Sequence, residues 1–190
     1  MMYGEITTLT KEKLNLAGWC AVTSGVITIP SFMLWAFLDS HPSSGADVFQ
    51  ATLTLIGLAL FIYIFSSLLQ LLNIRFDFHD TDVLINLLIW INIGAAILNL
   101  LVLLVSRLEA LIGALLVIAL VAFGLIYVAF GVRLLRFSQP LFGLLKPFSY
   151  MSIVTGICFA TIVLIPVGLM TSAIADVILG IIFFRAAENM

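Results

Sequence analysis

Long apolar segments, each followed by a short polar break, constrain this chain more than any other feature. An α-helix rises 1.5 Å per residue, so about 20 apolar residues are needed to cross roughly 30 Å of hydrocarbon. The pattern predicts an all-α integral membrane helical bundle in which residues 1–190 form a single transmembrane domain. Apolar runs of this length lie near 14–38, 49–72, 83–105 and 110–132, and a longer apolar stretch covers 148–184.

The small number of charged residues supports a surface that faces lipid. Charged residues make up 9% of the chain and hydrophobic residues 63%, with a mean hydropathy of +1.27. Soluble domains carry about 25% charged residues, and a water-exposed surface needs them. No basic run is long enough to follow a phosphate backbone, so nucleic acid is excluded as a partner. The lipid bilayer is the expected partner.

The apolar stretch 148–184 determines the number of spans. A single helix over this stretch would be about 55 Å long, well beyond the thickness of a bilayer. Pro166 and Gly168 predict a break, which leaves spans near 148–166 and 170–185 and gives six transmembrane helices as three hairpins. A five-span arrangement with one kinked helix also fits, because proline alone often only kinks a transmembrane helix.

The distribution of cations predicts the orientation of the chain. Short cytoplasmic loops are enriched in Lys and Arg, and placing both termini inside leaves only Arg107 on the opposite side. We therefore expect a multi-pass protein of the cell inner membrane with cytoplasmic N- and C-termini. The cations placed inside are Lys11, Lys13, Arg75, Arg133, Arg136, Lys146 and Arg185.

Three polar residues within the predicted spans are candidates for a polar pathway. Asp176 lies about six residues into the predicted sixth span, where an ionised carboxylate is costly. Asn92 and Asn99 are seven residues apart and share one face of the third span. The alternatives are that Asp176 lies near a helix N-terminus, with Arg107 on the same side, and that the asparagines form interhelical hydrogen bonds.

Cationic residues flank an apolar segment between the fourth and fifth spans. Arg133, Arg136 and Lys146 are predicted to contact anionic lipid headgroups while the intervening apolar side chains face the bilayer. Docking of a partner protein is the alternative for this segment. Pro140 prevents one continuous helix here.

The densest polar cluster, Asp77, His79, Asp80 and Asp82, comes just before the third span. Carboxylates and an imidazole are ligands for divalent ions, but Asp residues at the start of a helix also satisfy its free amides. A single histidine favours the capping role, so we predict no metal and no cofactor. Motifs of nucleotide-binding, metalloprotease or serine hydrolase sites are missing, which indicates that the chain is not an enzyme.

Pairs of glycines seven residues apart occur in the first and fourth spans. Glycines on one helical face let a neighbouring backbone approach closely. Gly18 with Gly25, and Gly124 with Gly131, therefore predict close helix packing.

The segment Gly124-Leu-Ile-Tyr-Val-Ala-Phe-Gly131, running into Arg133, resembles HdeD-type bacterial inner-membrane proteins. The resemblance is architectural and covers roughly 50–190. It implies a small prokaryotic six-span membrane protein, of a family linked to acid stress, without a catalytic motif.

Two functions fit these features. The favoured hypothesis is a non-catalytic membrane protein that acts by association, as an accessory subunit, a scaffold or a membrane-stress protein, with other membrane subunits or as a homo-oligomer. The alternative is a small transporter or channel for an ion or small solute that uses the intramembrane carboxylate of Asp176.

Overall fold

The computed structural model is all-α and describes residues 9–40, 44–104, 109–137 and 143–190. Within these residues no β-strand occurs, and several apolar helices have the length of a membrane span. The structure therefore confirms a helical bundle of the membrane-protein class. The six helices are α1 (Lys11–Ser40), α2 (Ser44–Phe76), α3 (Asp82–Leu104), α4 (Glu109–Leu135), α5 (Leu145–Ala160) and α6 (Ile165–Glu188).

The six helices close into a ring. Each helix packs against the helices before and after it in the chain, and α6 returns to pack against α1. No other pair of helices among the described residues comes into backbone contact. Short connections between packed neighbours make successive helices antiparallel. One end of the ring, the termini end, therefore holds the start of α1 and the end of α6.

Arginine side chains tie the helices together at the termini end. Arg75, in the last turn of α2, donates from Nη1 to the carbonyl of Ala186 at 2.7 Å and from Nη2 to the carbonyl of Asn189 at 3.1 Å. Arg133 donates to the carbonyl of Asp80 at 2.8 Å. The last carbonyls of a helix have no intrahelical donor, so the guanidinium group of Arg75 satisfies part of the free C-terminal end of α6.

Glycines form the closest helix contacts, as their spacing predicts. A Cβ atom added to Gly25 of α1 would lie 2.6 Å from the carbonyl oxygen of Ala173 in α6. A Cβ atom added to Gly124 of α4 would lie 2.6 Å from both the nitrogen of Ala160 and the carbonyl oxygen of Gly156 in α5. These distances leave no room for a side chain, so the contacts α1–α6 and α4–α5 depend on glycine.

The last apolar stretch forms two helices, but the predicted position of the break is wrong. The helical hydrogen bonding ends at Ala160, and α6 begins at Ile165. Pro166 lies in the first turn of α6, where its missing N–H costs no hydrogen bond. The backbone reverses at Ile162, whose φ of 59° lies in the left-handed region. Pro166 thus marks the start of the last helix, whereas the predicted fifth span ends at this residue.

The new boundary makes α5 the shortest helix. Its 16 residues span about 24 Å, less than the hydrocarbon thickness of a bilayer. The other five helices are long and apolar enough to cross a membrane.

Large side chains fill the ring toward the termini end. Phe65 of α2, Phe130 of α4 and Phe148 of α5 are fully buried there, together with several leucines. The rings of Phe65 and Phe130 have centroids 6.1 Å apart, and those of Phe130 and Phe148 are 6.2 Å apart. This half of the bundle is a continuous core.

The glycine contacts generate a prediction about stability. Gly124→Ala places a methyl group against the backbone of α5 and should destabilise the fold by about 1–3 kcal/mol, as overpacking does. Gly94→Ala is the matched control, because nothing lies within 4 Å of its added Cβ atom, and alanine is the better helix former by about 0.5–1 kcal/mol. Thermal unfolding in detergent should therefore move in opposite directions for the two variants. Equal shifts would contradict the packing described here.

Candidate functional site

A cavity of about 610 Å³ lies inside the ring, above the core at the termini end. Every helix contributes to its wall, mostly through residues in the middle of the bundle or in the half farther from the termini. Small side chains such as Ala95 and Ala119, and the bare backbone of Gly57, leave this volume open. The polar residues of the wall are Ser24, Thr28, Thr54, Asn92, Asn99, Ser172 and Asp176.

Asp176 lies deep in α6. Because the helix begins at Ile165, Asp176 is three turns and about 16 Å from the N-terminus of the helix. The favourable effect of a helix dipole on a carboxylate is confined to the first turn. The alternative that placed Asp176 near a helix N-terminus is therefore wrong. Arg107, its suggested partner, lies outside the described residues.

A serine of α1 holds the carboxylate at the wall of the cavity. Ser24 Oγ donates a hydrogen bond to Asp176 Oδ2 at 2.9 Å. The neighbouring Gly25 brings α1 this close, because its Cα faces Ala173 and the Cβ atom of Asp176. Among the described residues, no cation pairs with Asp176. The side chain keeps part of its surface accessible, and this surface borders the cavity.

Asn92 and Asn99 line the same cavity as Asp176. Their spacing of seven residues places both side chains on the inner face of α3, whereas Asn86 is exposed on the outer surface. Neither amide forms a hydrogen bond with any described residue, although both are half-buried. The interhelical hydrogen bonds that were the alternative role for these asparagines are thus not seen in the described part of the chain. Their donors and acceptors remain available to water or a solute.

Aromatic rings form the floor of the cavity. The centroids of Phe61 and Phe123 are 5.9 Å apart, and those of Phe123 and Phe159 are 6.2 Å apart, with both pairs tilted by 52°. Phe61 stacks on Phe65 at 4.3 Å, and Phe123 stacks on Tyr127 at 5.6 Å, which joins the floor to the core. This floor was not among the features predicted from the sequence. The four-residue spacing within each stack was the available signal.

The cationic residues predicted to contact lipid lie at the termini end, away from the cavity. Arg133, Arg136 and Lys146 are all exposed, and of their side chains only that of Arg133 forms a hydrogen bond with another described residue, to the carbonyl of Asp80. Residues 138–142, including Pro140, lie outside the described residues. Contact of these side chains with lipid headgroups stays a prediction.

The Asp-His cluster forms a small hydrogen-bonded group between α2 and α3. His79 Nδ1 lies 3.0 Å from Asp82 Oδ2, and His79 Nε2 lies 3.3 Å from Asp77 Oδ1. Asp82 also accepts a hydrogen bond from Asn73 Nδ2 at 3.0 Å and stands in the first turn of α3. No group of three ligands suited to a metal ion occurs in the described chain. Within the described chain, the carboxylate of Asp82 contacts the side chains of Asn73 and His79 and accepts no hydrogen bond from an amide of α3, so the predicted capping role is not seen.

Searches against protein-family models, curated proteins and solved structures find no significant match to this chain. The resemblance to HdeD-type proteins therefore stays a prediction.

The exposed histidine allows a direct test of the geometry at the termini end. The hydrogen bond to Asp82, followed by the charges of Asp82 and Asp77, raises the pKa of His79 above its ordinary value of 6.5. The stability that this group contributes is full below pH 6.5 and is lost as the pH rises through the folded-state pKa. In an NMR titration, Asp77→Asn should lower the pKa of His79 less than Asp82→Asn does. A His79 pKa that neither substitution changes would contradict the geometry.

Proposed function

We propose that this protein is a small membrane transporter that binds an ion or small polar solute in the central cavity. One observation carries the proposal: Asp176, Asn92 and Asn99, which come from two helices that do not contact each other, line one cavity. Ionisable groups inside a membrane are costly, and they are typical of pathways for ions and solutes. No catalytic role is proposed, because Asp176 is the one titratable side chain among the described lining residues.

The packing of the glycines weakens the case for association. Small-residue faces, together with the scarcity of ionisable groups within the spans, are the features that favour a protein that works by binding other subunits. Most of these faces are occupied within the chain itself, by α1 against α6 and by α4 against α5. The glycines packed in this way are Gly18, Gly25, Gly124, Gly131 and Gly156.

The unequal filling of the ring supports a transport cycle. Aromatic packing closes the half near the termini, while the cavity occupies the middle and the opposite half. A site near the middle of a bundle that is closed on one side is typical of one state of an alternating-access transporter.

The distribution of cations indicates which end of the bundle faces the cytoplasm. Seven of the eight cations lie at or near the termini end, because they belong to the first turns of α1 and α5, the last turns of α2, α4 and α6, or the residue just after α4. By the positive-inside rule we place this end on the cytoplasmic side of the cell inner membrane, so that the cavity opens outward. In this arrangement the five long helices span the bilayer, and the 16-residue α5 crosses as a short sixth span.

Cysteine accessibility tests whether the cavity is filled with water. In a background of Cys20→Ala and Cys158→Ala, a charged methanethiosulfonate reagent is applied from outside the cell. A thiol reacts as the thiolate, which forms in water and not in lipid, so Ala119→Cys should react about tenfold faster than Ile118→Cys. Ile118 is the matched control because it is the neighbouring residue of α4, is 64% exposed and does not line the cavity.

A second pair in α3 repeats the test on another wall. Asn99→Cys should react fast, and Ile97→Cys, at an exposed position outside the cavity, should react slowly. If both cavity positions react as slowly as their controls, the interior is dry and the transport proposal fails. Association would then be the better explanation of the chain.

A further inference from the structure

We propose that the solute of this cavity is a small organic cation, in which an ammonium group carries a short hydrocarbon chain. The ammonium group would pair with Asp176 and contact the aromatic rings of Phe61 and Phe123. This inference rests on the proposed function, because it assigns a class of solute to the same cavity.

The charge of the cavity selects a cation. Asp176 is a carboxylate, and no Lys, Arg or His stands among the described residues that line the cavity. A charge buried in an apolar bundle is costly unless an opposite charge pairs with it. An anionic solute would add a second negative charge to this wall, whereas a cation supplies the charge that the described wall lacks.

The size and chemistry of the wall favour an organic cation over a bare inorganic ion. A volume of about 610 Å³ matches the pockets of roughly 300–1,000 Å³ that bind small molecules. A desolvated metal cation needs several oxygen ligands around it, and most side chains of this wall are hydrocarbon or aromatic. The apolar wall instead complements the carbon atoms of an alkylammonium ion.

The aromatic floor supplies a second contact for the cation. A cation is attracted to the face of an aromatic ring within about 6 Å of its centroid. Phe61, Phe123 and Phe159 all border the cavity, and the centroids of neighbouring rings lie 5.9 and 6.2 Å apart, so a cation in the cavity can lie close to more than one ring. Asn92 and Asn99 add unpaired amides that can bind a polar group at the other end of the solute.

The test uses two cations with neutral molecules of similar shape. Choline is compared with 3,3-dimethyl-1-butanol, and n-butylammonium with 1-pentanol. The readout is the labelling rate of Ala119→Cys, a small position on the cavity wall. At least one cation should slow labelling by about threefold or more at saturation, because a bound solute excludes water and reagent from the thiol. Its neutral counterpart at the same concentration should leave the rate unchanged.

Variants of the binding residues identify the contacts. Asp176→Asn keeps the size of the side chain and an oxygen that accepts from Ser24, and it should abolish protection by the cation. Phe61→Leu should weaken the apparent affinity of that cation by roughly 2- to 30-fold, the range expected for one cation–π contact. Phe32→Leu is the control, because Phe32 is 40% exposed on the outer surface.

Three outcomes overturn the inference. If Ala119→Cys is labelled but no cation protects it more than its neutral counterpart does, the solute is not an organic cation, and the proposed function stands for another solute. Protection that survives in Asp176→Asn removes the assigned counter-ion. If neither Ala119→Cys nor Asn99→Cys is labelled faster than its control, the proposed function fails first, and the inference fails with it. If Asp176→Asn elutes as an aggregate, two other results still test the inference. These are the difference in protection between each cation and its neutral counterpart, and the loss of apparent affinity in Phe61→Leu.

Discussion

The close contact between α1 and α6 is the interaction on which the rest of this structure depends. Association of helices in a membrane relies on close packing and hydrogen bonds, since lipid tails are as apolar as the helices. Here Gly25 faces the backbone of Ala173, and a Cβ atom added to Gly180 would lie 3.0 Å from the carbonyl oxygen of Gly18. The same contact aligns Ser24 with Asp176. It joins the first helix to the last and closes the ring.

A closed ring of six helices has an interior that side chains must fill, and this chain fills it unevenly. Phenylalanines and leucines occupy the half near the termini, where the ring of Phe130 packs against those of both Phe65 and Phe148. Farther from the termini the inward positions carry small residues, such as Ala95 and Ala119, so an open volume remains. The cavity thus results from the distribution of side-chain sizes along the inner faces.

Much of the fold could be predicted from the sequence, because the signals involved are local. Composition and the length of the apolar runs predicted a helical membrane bundle, and glycine spacing predicted the close contacts of Gly25 and Gly124. The break near Pro166 was misplaced, since a proline is compatible with both the end of one helix and the first turn of the next.

The candidate site was harder to predict, because it depends on contacts between distant parts of the chain. The spacing of Asn92 and Asn99 predicted a shared face but not what that face meets. Ser24 and Asp176 are separated by 152 residues, and only the closure of the ring brings them together. The depth of Asp176 was underestimated because the start of α6 was placed too late. The aromatic floor depends on how α2, α4 and α5 are aligned against one another. The four-residue spacing of its rings predicts stacking within one helix but not this alignment between helices.

Disulfide crosslinking between α1 and α6 tests the closure of the ring most directly. A Cβ atom added to Gly180 would lie 2.6 Å from a γ-carbon of Val22, so cysteines at these two positions have Cβ atoms within bonding range. In a chain without Cys20 and Cys158, and with a protease site between α4 and α5, mild oxidation of Val22→Cys/Gly180→Cys should keep the two fragments together on a non-reducing gel. The pair Val22→Cys/Val154→Cys should separate, because Val154 is exposed on α5, which does not contact α1 in the described chain. A Cβ atom at position 180 would lie 3.0 Å from the carbonyl oxygen of Gly18, so the variant must first elute as folded protein. In such a folded variant, fragments that separate for both pairs would show that α1 does not pack against α6, and the ring around the cavity would not be closed.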